Sequence, residues 1–306
     1  MKASRNKTLD ISVEEGKEYL KKCITVDSHV EKSKILNKTV LGDSMTVLDF
    51  FPHEFVDLLI VDPPYNMNKE FGETTFHKIS PQEYAVYTED WIKKVLPLLK
   101  KTASVYVCCD WESGMMIGNV LQKYFTVKNR ITWQREKGRG AKGNWKNGME
   151  DIWFATVSND YYFNVDGVKV RRKVLAPYKE NGVPKDWEET ENGKFRDTFP
   201  SNFWDDISVP YWSMAENTAH PTQKPEKLIA KLVLASSDVG DLILDPFAGS
   251  GTTAVVAKKL GRHYIGIEHN PTYCAWAEYR LKIAEEDKTI QGLKDGVFWD
   301  RNANIK

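Results

Sequence analysis

A short apolar strand, a glycine turn, a helix and a second strand ending on an acid, in that order, leave few folds open. The segment Leu242–Glu268 (LILDPFAGSGTTAVVAKKLGRHYIGIE) has this order. The first strand runs into Asp245; Ala248, Gly249, Ser250 and Gly251 make a small-residue turn, and Thr252 and Thr253 open the helix. Glycine is needed where backbone passes close to a ligand or takes a positive φ. Glu268 follows Asp245 by 23 residues, a spacing that suits an acid accepting hydrogen bonds from ribose hydroxyls. The turn also fits G-x-G-x-x-A (Gly249, Gly251, Ala254), so an NAD-dependent oxidoreductase is a rival reading. Against it, Asp245 stands where it would repel a pyrophosphate, and only 55 residues follow Gly251, too few for the rest of a dinucleotide fold unless the order is permuted. A sulfonium bearing an α-amino group would welcome Asp245. No lysine follows the glycines, which excludes a Walker loop. The bland alternative is an ordinary tight strand-to-helix turn.

The rest of the chain alternates in the same way. Lys38–Leu41 and Asp57–Val61 read as buried strands, each ending in a polar turn. Ser80–Lys100 begins with a Ser-Pro cap and carries helical apolar spacing through Trp91, Val95 and Leu98. Strands are expected at 103–108, 127–134, 151–157, 241–244 and 263–267, and helices at 225–236, 252–260 and 271–286. This is the pattern of an α/β sheet covered on both faces. Residues 158–219 break the rhythm, being rich in charge, tryptophan, tyrosine and proline. They read as an inserted, loop-rich module between 1–157 and 220–306.

Composition sets outer limits. With 306 residues, 41% of them apolar, the chain can bury a sizeable core. Its 43 basic residues are balanced by 43 acidic ones, which argues against a protein coated in positive charge, though a local basic face remains compatible. The N-terminal 22 residues lack a signal-peptide core, and no run approaches the ~18 apolar residues needed to span a bilayer. The four cysteines (Cys23, Cys108, Cys109, Cys274) lack zinc or disulfide spacing. A soluble cytoplasmic protein without a metal is the expectation.

The chemical signal is Asp62-Pro63-Pro64-Tyr65, directly after the strand DLLIV and so at the carboxyl edge of the sheet, where open α/β folds bind ligands. The prolines stiffen the loop and remove backbone donors, leaving carbonyl oxygens as acceptors. The Asp62 carboxylate and the Pro63 carbonyl can accept both N–H bonds of an aromatic amine, drawing its nitrogen towards tetrahedral geometry, while Tyr65 stacks on the ring. The competing reading is a proline turn whose tyrosine merely packs.

Together these motifs resemble the amino-group DNA methyltransferases of the β arrangement, the permuted group in which the catalytic motif precedes the cofactor motif. The matching residues are Asp62–Tyr65, His220-Pro221-Thr222-Gln223-Lys224-Pro225 and Asp245–Gly251, and the match runs from about Gly42 to Arg280 except for 158–219. The resemblance implies a Rossmann-like sheet of seven mostly parallel strands with one antiparallel strand near an edge. It implies S-adenosylmethionine as cofactor, held by Asp245, Phe247, Gly249 and Gly251 at its methionine and ribose end within the turn that includes Ala248, Ser250 and Thr252. Glu268 would hold the ribose, Asp43 approach the adenine amino group, and His220, Thr222 and Lys224 the methionine moiety.

The family's activity is methylation of N6 of adenine in a short duplex sequence, with N4 of cytosine as the alternative. Here Asp62 stands where N4-cytosine enzymes often carry serine. Chemistry and resemblance agree on direct attack of the amine on the methyl carbon; methylation at C5 of cytosine needs a cysteine nucleophile, and none of the four follows a proline. The base must leave the stack, at a cost of a few kcal/mol. Asn66–Lys78 is expected to close over it, against the alternative of a plain surface loop. Double-stranded DNA is expected to meet Arg135, Lys137, Arg139, Lys142 and Lys146 and a second cluster, Lys169, Arg171, Arg172 and Lys173; a solvated charge run is the competing reading. Residues 158–219 would recognise the target. A restriction endonuclease acting on the same sequence is a conceivable companion. RNA and protein-amide methyltransferases usually begin the tetrapeptide with asparagine, and a non-catalytic DNA-binding module would not need the glycine turn.

Overall fold

Eight strands form the central sheet of the computed structural model, which describes residues 4–71, 74–135, 143–174, 178–191 and 193–301. They are β1 (Lys38–Leu41), β2 (Val56–Val61), β3 (Leu99–Cys109), β4 (Thr126–Gln134), β5 (Met149–Thr156), β6 (Phe203–Trp204), β7 (Leu242–Asp245) and β8 (His263–Glu268). Their order across the sheet is β1-β8-β7-β2-β3-β5-β4-β6. All run parallel except β5, which is antiparallel to both neighbours. The expected seven-stranded pattern is therefore present. The extra strand is β6, which pairs Phe203 and Trp204 with Thr132 and Trp133.

Strand β2 shows why the sheet needs cover on both sides. Leu59 and Val61 join a core with Tyr84, Trp91 and Ile92 of α1 (Pro81–Val95) and Ile117 and Leu121 of α2 (Trp111–Tyr124). Leu58 and Ile60 face the other way, into a core with Leu228 and Leu232 of α3 (Glu226–Ser236), Val255 of α4 (Thr252–Lys259) and Leu281 of α5 (Pro271–Glu286). Burial on both faces explains the near-continuous apolar runs of these strands. The cap foreseen for α1 is in place: Ser80 accepts from the Glu83 backbone while the Glu83 side chain returns to the Ser80 amide.

Helix α2 has no expectation behind it, and its sequence explains why. Gly114 and Gly118 lie inside it, where glycine disfavours helix by about 1 kcal/mol each. They are there for space: a Cβ on Gly118 would come 2.5 Å from the Trp153 ring.

Residues 158–219 hold more regular structure than a loop-rich module. A second sheet runs in the order Glu188–Thr190, Gly193–Thr198, Val170–Lys173, Val297–Trp299, Leu293–Lys294. Its last two strands come from the far end of the chain, so the module draws on residues well outside 158–219. It is bolted to the core by Asp206, whose carboxylate lies 2.7 Å from Lys227 and 2.6 Å from Lys231 on α3. No helix among the described residues is long and apolar enough to cross a membrane.

Strands β7 and β2 are neighbours, yet the chain leaves β7 towards β8 and β2 towards β3. Their carboxyl ends thus open away from each other at a topological switch point, where such sheets bind ligands. Asp245 ends one and Asp62 follows the other.

Candidate active site

The cleft at this switch point is lined by Asp62, Pro63, Pro64 and Tyr65 from the β2 turn, His220, Thr222, Gln223 and Lys224 from the lead into α3, and Asp245, Phe247, Ala248, Gly249, Ser250, Thr252 and Glu268 from the β7 turn and β8. Met67, Lys69, Thr75 and Phe76 add a wall. They come from Asn66–Lys78, whose described residues form a short antiparallel hairpin, Lys69–Phe71 with Thr74–Phe76.

The β7 turn is built for close approach. Gly249 and Gly251 have φ of 52° and 79°, values that L side chains rarely adopt. A Cβ on Gly251 would lie 2.5 Å from Cβ of Ala277 on α5, so this glycine also lets the helix pack against the turn. Arg280 fastens the turn from α5: Nη1 donates to the Ser250 carbonyl at 2.8 Å and to Thr252 Oγ1 at 3.0 Å. Glu268 accepts from the Gly249 amide at 2.9 Å and the Asn270 amide at 2.8 Å. Gly251 itself stays behind the lining.

Asp245 is almost fully buried, and burial pushes its pKa up to about 7, with Asp62 and Glu268 adding to the rise and hydrogen bonds from Thr253 and the Phe247 amide opposing it. Glu268 is raised as well, again first by burial. His220 is driven down to about 3 by burial and by Lys224 and Arg280, so it is neutral; its ring meets Tyr273 edge-on at 4.5 Å. Two buried carboxylates in a cleft that also presents Pro63, Phe76, Ile229, Phe247 and Tyr273 suit a ligand that is part apolar and carries positive charge. S-adenosylmethionine fits that description.

Asp62, Pro63, Pro64 and Tyr65 line the same cleft. No described residue donates to the Pro63 carbonyl, whereas the Pro64 carbonyl accepts from Tyr84 Oη at 2.9 Å. Asp62 is engaged: Lys224 Nζ lies 2.8 and 2.7 Å from its two oxygens, and Tyr65 Oη donates to Oδ1 at 2.9 Å. Burial would lower the Lys224 ammonium, but Asp62 and Glu150 outweigh it and hold it above the usual lysine range. Burial first, then Asp62 and Glu150, raise Tyr65 well above its ordinary value, so the phenol remains a donor. Cys108 borders the cleft, but burial and Asp62 push its thiol well up, and it offers no thiolate for attack on a ring.

Residues 56–279 match a family model described as DNA methylase. The chain belongs to that family. It is 36% identical over 282 residues to the DNA adenine methyltransferase YhdJ of Escherichia coli (strain K12), covering 87% of this chain and 91% of that protein. It is 31% identical over 249 residues to the type II methyltransferase M.HpaI of Haemophilus parainfluenzae, covering 80% and 74% respectively. Among solved structures, the PvuII DNA methyltransferase (cytosine-N4-specific) aligns with a TM-score of 0.61 at 18% identity over 84% of this chain and 87% of that one. The M1.HpyAVI–SAM complex aligns at 0.55 with 23% identity, over 79% and 98%. At these identities the structural likeness speaks to the fold alone, a mostly parallel sheet with one antiparallel strand.

Within this DNA methylase, several residues named from sequence sit elsewhere than expected. Asp43 is outside the cleft lining: it caps the short helix Ser44–Val47, accepting from the Met45 amide at 3.1 Å, and Ser44 braces the turn through the Pro246 carbonyl. Lys224 turns to Asp62 rather than standing free for the methionine moiety. Arg135 turns inward to Glu150. Arg171 grips Asp197 at 2.6 and 2.7 Å, and Arg172 meets Asp205 at 3.1 Å, so neither is a free surface cation. Lys146 and Lys173 are exposed, while Lys169 reaches Asp166 at 2.6 Å. Lys137, Arg139 and Lys142 lie outside the described residues. Sequence reading passed over Glu150 and gave no role to Arg280 or to Gln223 of the His220–Pro225 motif. Gln223 accepts from the Thr218 amide and hydroxyl, both at 2.8 Å, which shapes the loop before Lys224. Two adjacent acids, Glu150 and Asp151, ahead of the apolar run Ile152–Ala155 were the available signal for Glu150.

Proposed function

We propose that this methylase transfers a methyl group to N6 of an adenine rotated out of duplex DNA, within a specific short sequence, as part of restriction and modification. The observation that carries the reading is that Asp62 and Pro63, whose carbonyl takes no donor among the described residues, line one cleft with Asp245. S-adenosylmethionine, when bound, supplies the methyl group on a sulfonium leaving group. Asp245, Glu268, Phe247 and the Gly249–Gly251 backbone are the residues to hold it, with His220 and Thr222 at its methionine end. Asp62 and the Pro63 carbonyl hold the two amine hydrogens and direct the nitrogen lone pair into the cleft. Asp62, holding one of those hydrogens, is also the base for the proton the amine sheds. Tyr65 stacks on the extruded base, and the hairpin 69–76 shields it from water. The relative named a DNA adenine methyltransferase supports adenine over cytosine, as does aspartate at the head of the tetrapeptide.

The module built on 158–219 and the C-terminal strands is the target reader, with Lys146, Lys173 and the exposed Trp145 available to the duplex. An endonuclease of the same specificity is the expected companion, acting on the same DNA without needing contact.

The test combines tritiated S-adenosylmethionine with unmethylated plasmid DNA and sequencing of the modified positions. Label on adenine in one recurring sequence is expected. The D62N variant should lose turnover by about 100-fold or more while cofactor affinity stays within about twofold, since Asp62 serves the amine and not the cofactor. Label on cytosine N4, or on no DNA at all, defeats the adenine reading.

A further inference from the structure

The catalytic carboxylate is already occupied. Both oxygens of Asp62 face Lys224 Nζ, and one also receives Tyr65 Oη. A target amine must displace these donors, and a buried ammonium stripped of its counterion is costly. Some other acceptor has to receive it. Glu150, buried at the start of β5, is placed for that: its Oε2 lies 3.3 Å from Lys224 Nζ and 3.3 Å from Tyr65 Oη. Both contacts are long here and would shorten if Lys224 and Tyr65 moved off Asp62. The other oxygen, Oε1, is anchored by Arg135, which fixes the carboxylate and balances its charge. Two acids and two cations thus lie together, and Lys224 can pass from one carboxylate to the other without losing a counterion.

We propose that Glu150 is a positioning residue of the methyl transfer: it takes Lys224 and Tyr65 from Asp62 when the flipped base arrives, releasing the catalytic carboxylate to the amine. The inference rests on the function proposed above. It assigns Lys224 the part of a latch on the resting site. Arg135, which follows β4 directly and whose amide donates to the Gly148 carbonyl at 2.7 Å, ties that latch to the paired ends of β4 and β5.

The test is a double-mutant cycle on the full chain, read as the single-turnover rate on unmethylated plasmid DNA and, separately, as equilibrium binding of S-adenosylmethionine. E150Q keeps the shape but not the charge, leaving Lys224 with Asp62 alone. Its rate is expected to fall at least tenfold with cofactor affinity within twofold of wild type. E150D keeps the charge and should recover most of the rate, because the long lysine side chain can follow a carboxylate drawn back by one methylene. In the K224Q background no cation needs to be received, so K224Q/E150Q should match K224Q. That double variant preserves local charge balance and serves the comparison even if E150Q folds poorly. An E150Q rate within twofold of wild type, an E150D rate as low as E150Q, or a double variant slower than K224Q overturns the proposal. A wild-type chain that binds S-adenosylmethionine but methylates no DNA points instead to failure of the functional reading.

Discussion

Cofactor affinity should depend on pH through Asp245. Without ligand, burial holds this carboxyl at about 7, against an ordinary value of 3.8. A bound sulfonium and α-ammonium favour the ionised form, so binding below pH 7 must expel a proton. Affinity should therefore fall by about tenfold for each pH unit below 7, towards a hundredfold loss at pH 5. Glu268, also raised by burial, acts in the same direction, while His220, at about 3, stays neutral across this range and contributes nothing. Folding stability has the opposite sign. A carboxyl raised in the folded state contributes stability that is complete below the unfolded value of 3.8 and is lost as pH rises through about 7. The shift corresponds to about 4 kcal/mol at most. Ligand-free protein should thus melt lower at pH 8 than this group alone allows at pH 5, and cofactor should restore most at pH 8. Calorimetric titration in two buffers of different ionisation enthalpy measures the proton directly: close to one released at pH 6, close to none at pH 8. D245N should bind weakly and lose most of the slope. A wild-type affinity flat from pH 5.5 to 7, or a D245N variant with the full slope, would refute the assignment of Asp245 to the cation.

Three further outcomes follow from packing. G251A forces a side chain into φ of 79° and its Cβ to 2.5 Å from Ala277, so a loss of about 2–5 kcal/mol is expected, with cofactor binding reduced; a melting temperature within 1 °C of wild type contradicts this. D206A leaves Lys227 and Lys231 buried without their carboxylate, costing about 3–5 kcal/mol by denaturant titration. A change under about 1 kcal/mol would mean that the module is held to the core by something else. G118A should destabilise by about 1–3 kcal/mol in spite of alanine's better helix propensity, because the Trp153 ring must move; W153F in the same chain should relieve much of that loss, and equal losses in both backgrounds would count against the steric account.

The parts of the fold that could be read from sequence share a cause. Buried parallel strands announce themselves as short apolar runs, and Asp62-Pro63-Pro64-Tyr65 and Asp245–Gly251 follow two of them directly, so their place at the sheet's carboxyl edge follows from local order alone. The strands of the second sheet carry no such mark. Val170–Lys173 reads as a charge run because Val170 is its one fully buried residue, and its partner Val297–Trp299 is supplied from more than a hundred residues away. Helix α2 was hidden by glycines whose reason, the Trp153 ring, lies on another element.

The basic residues teach the same lesson about charge. Arg135, Arg171 and Arg172 look alike in sequence to Lys146 and Lys173, yet the first three meet Glu150, Asp197 and Asp205 and the last two face solvent. A cation's availability to phosphate depends on which acids the fold brings to it, and that is a long-range property. Lys224 is the sharpest case: a motif residue whose counterion, Asp62, lies 162 residues earlier in the chain. The motif located the lysine in the cleft, but only the fold shows that its counterion is Asp62, the carboxylate proposed above to receive the amine. Release of that carboxylate is then part of substrate binding, and the energy of extruding a base has to be weighed together with the energy of moving one buried ion pair.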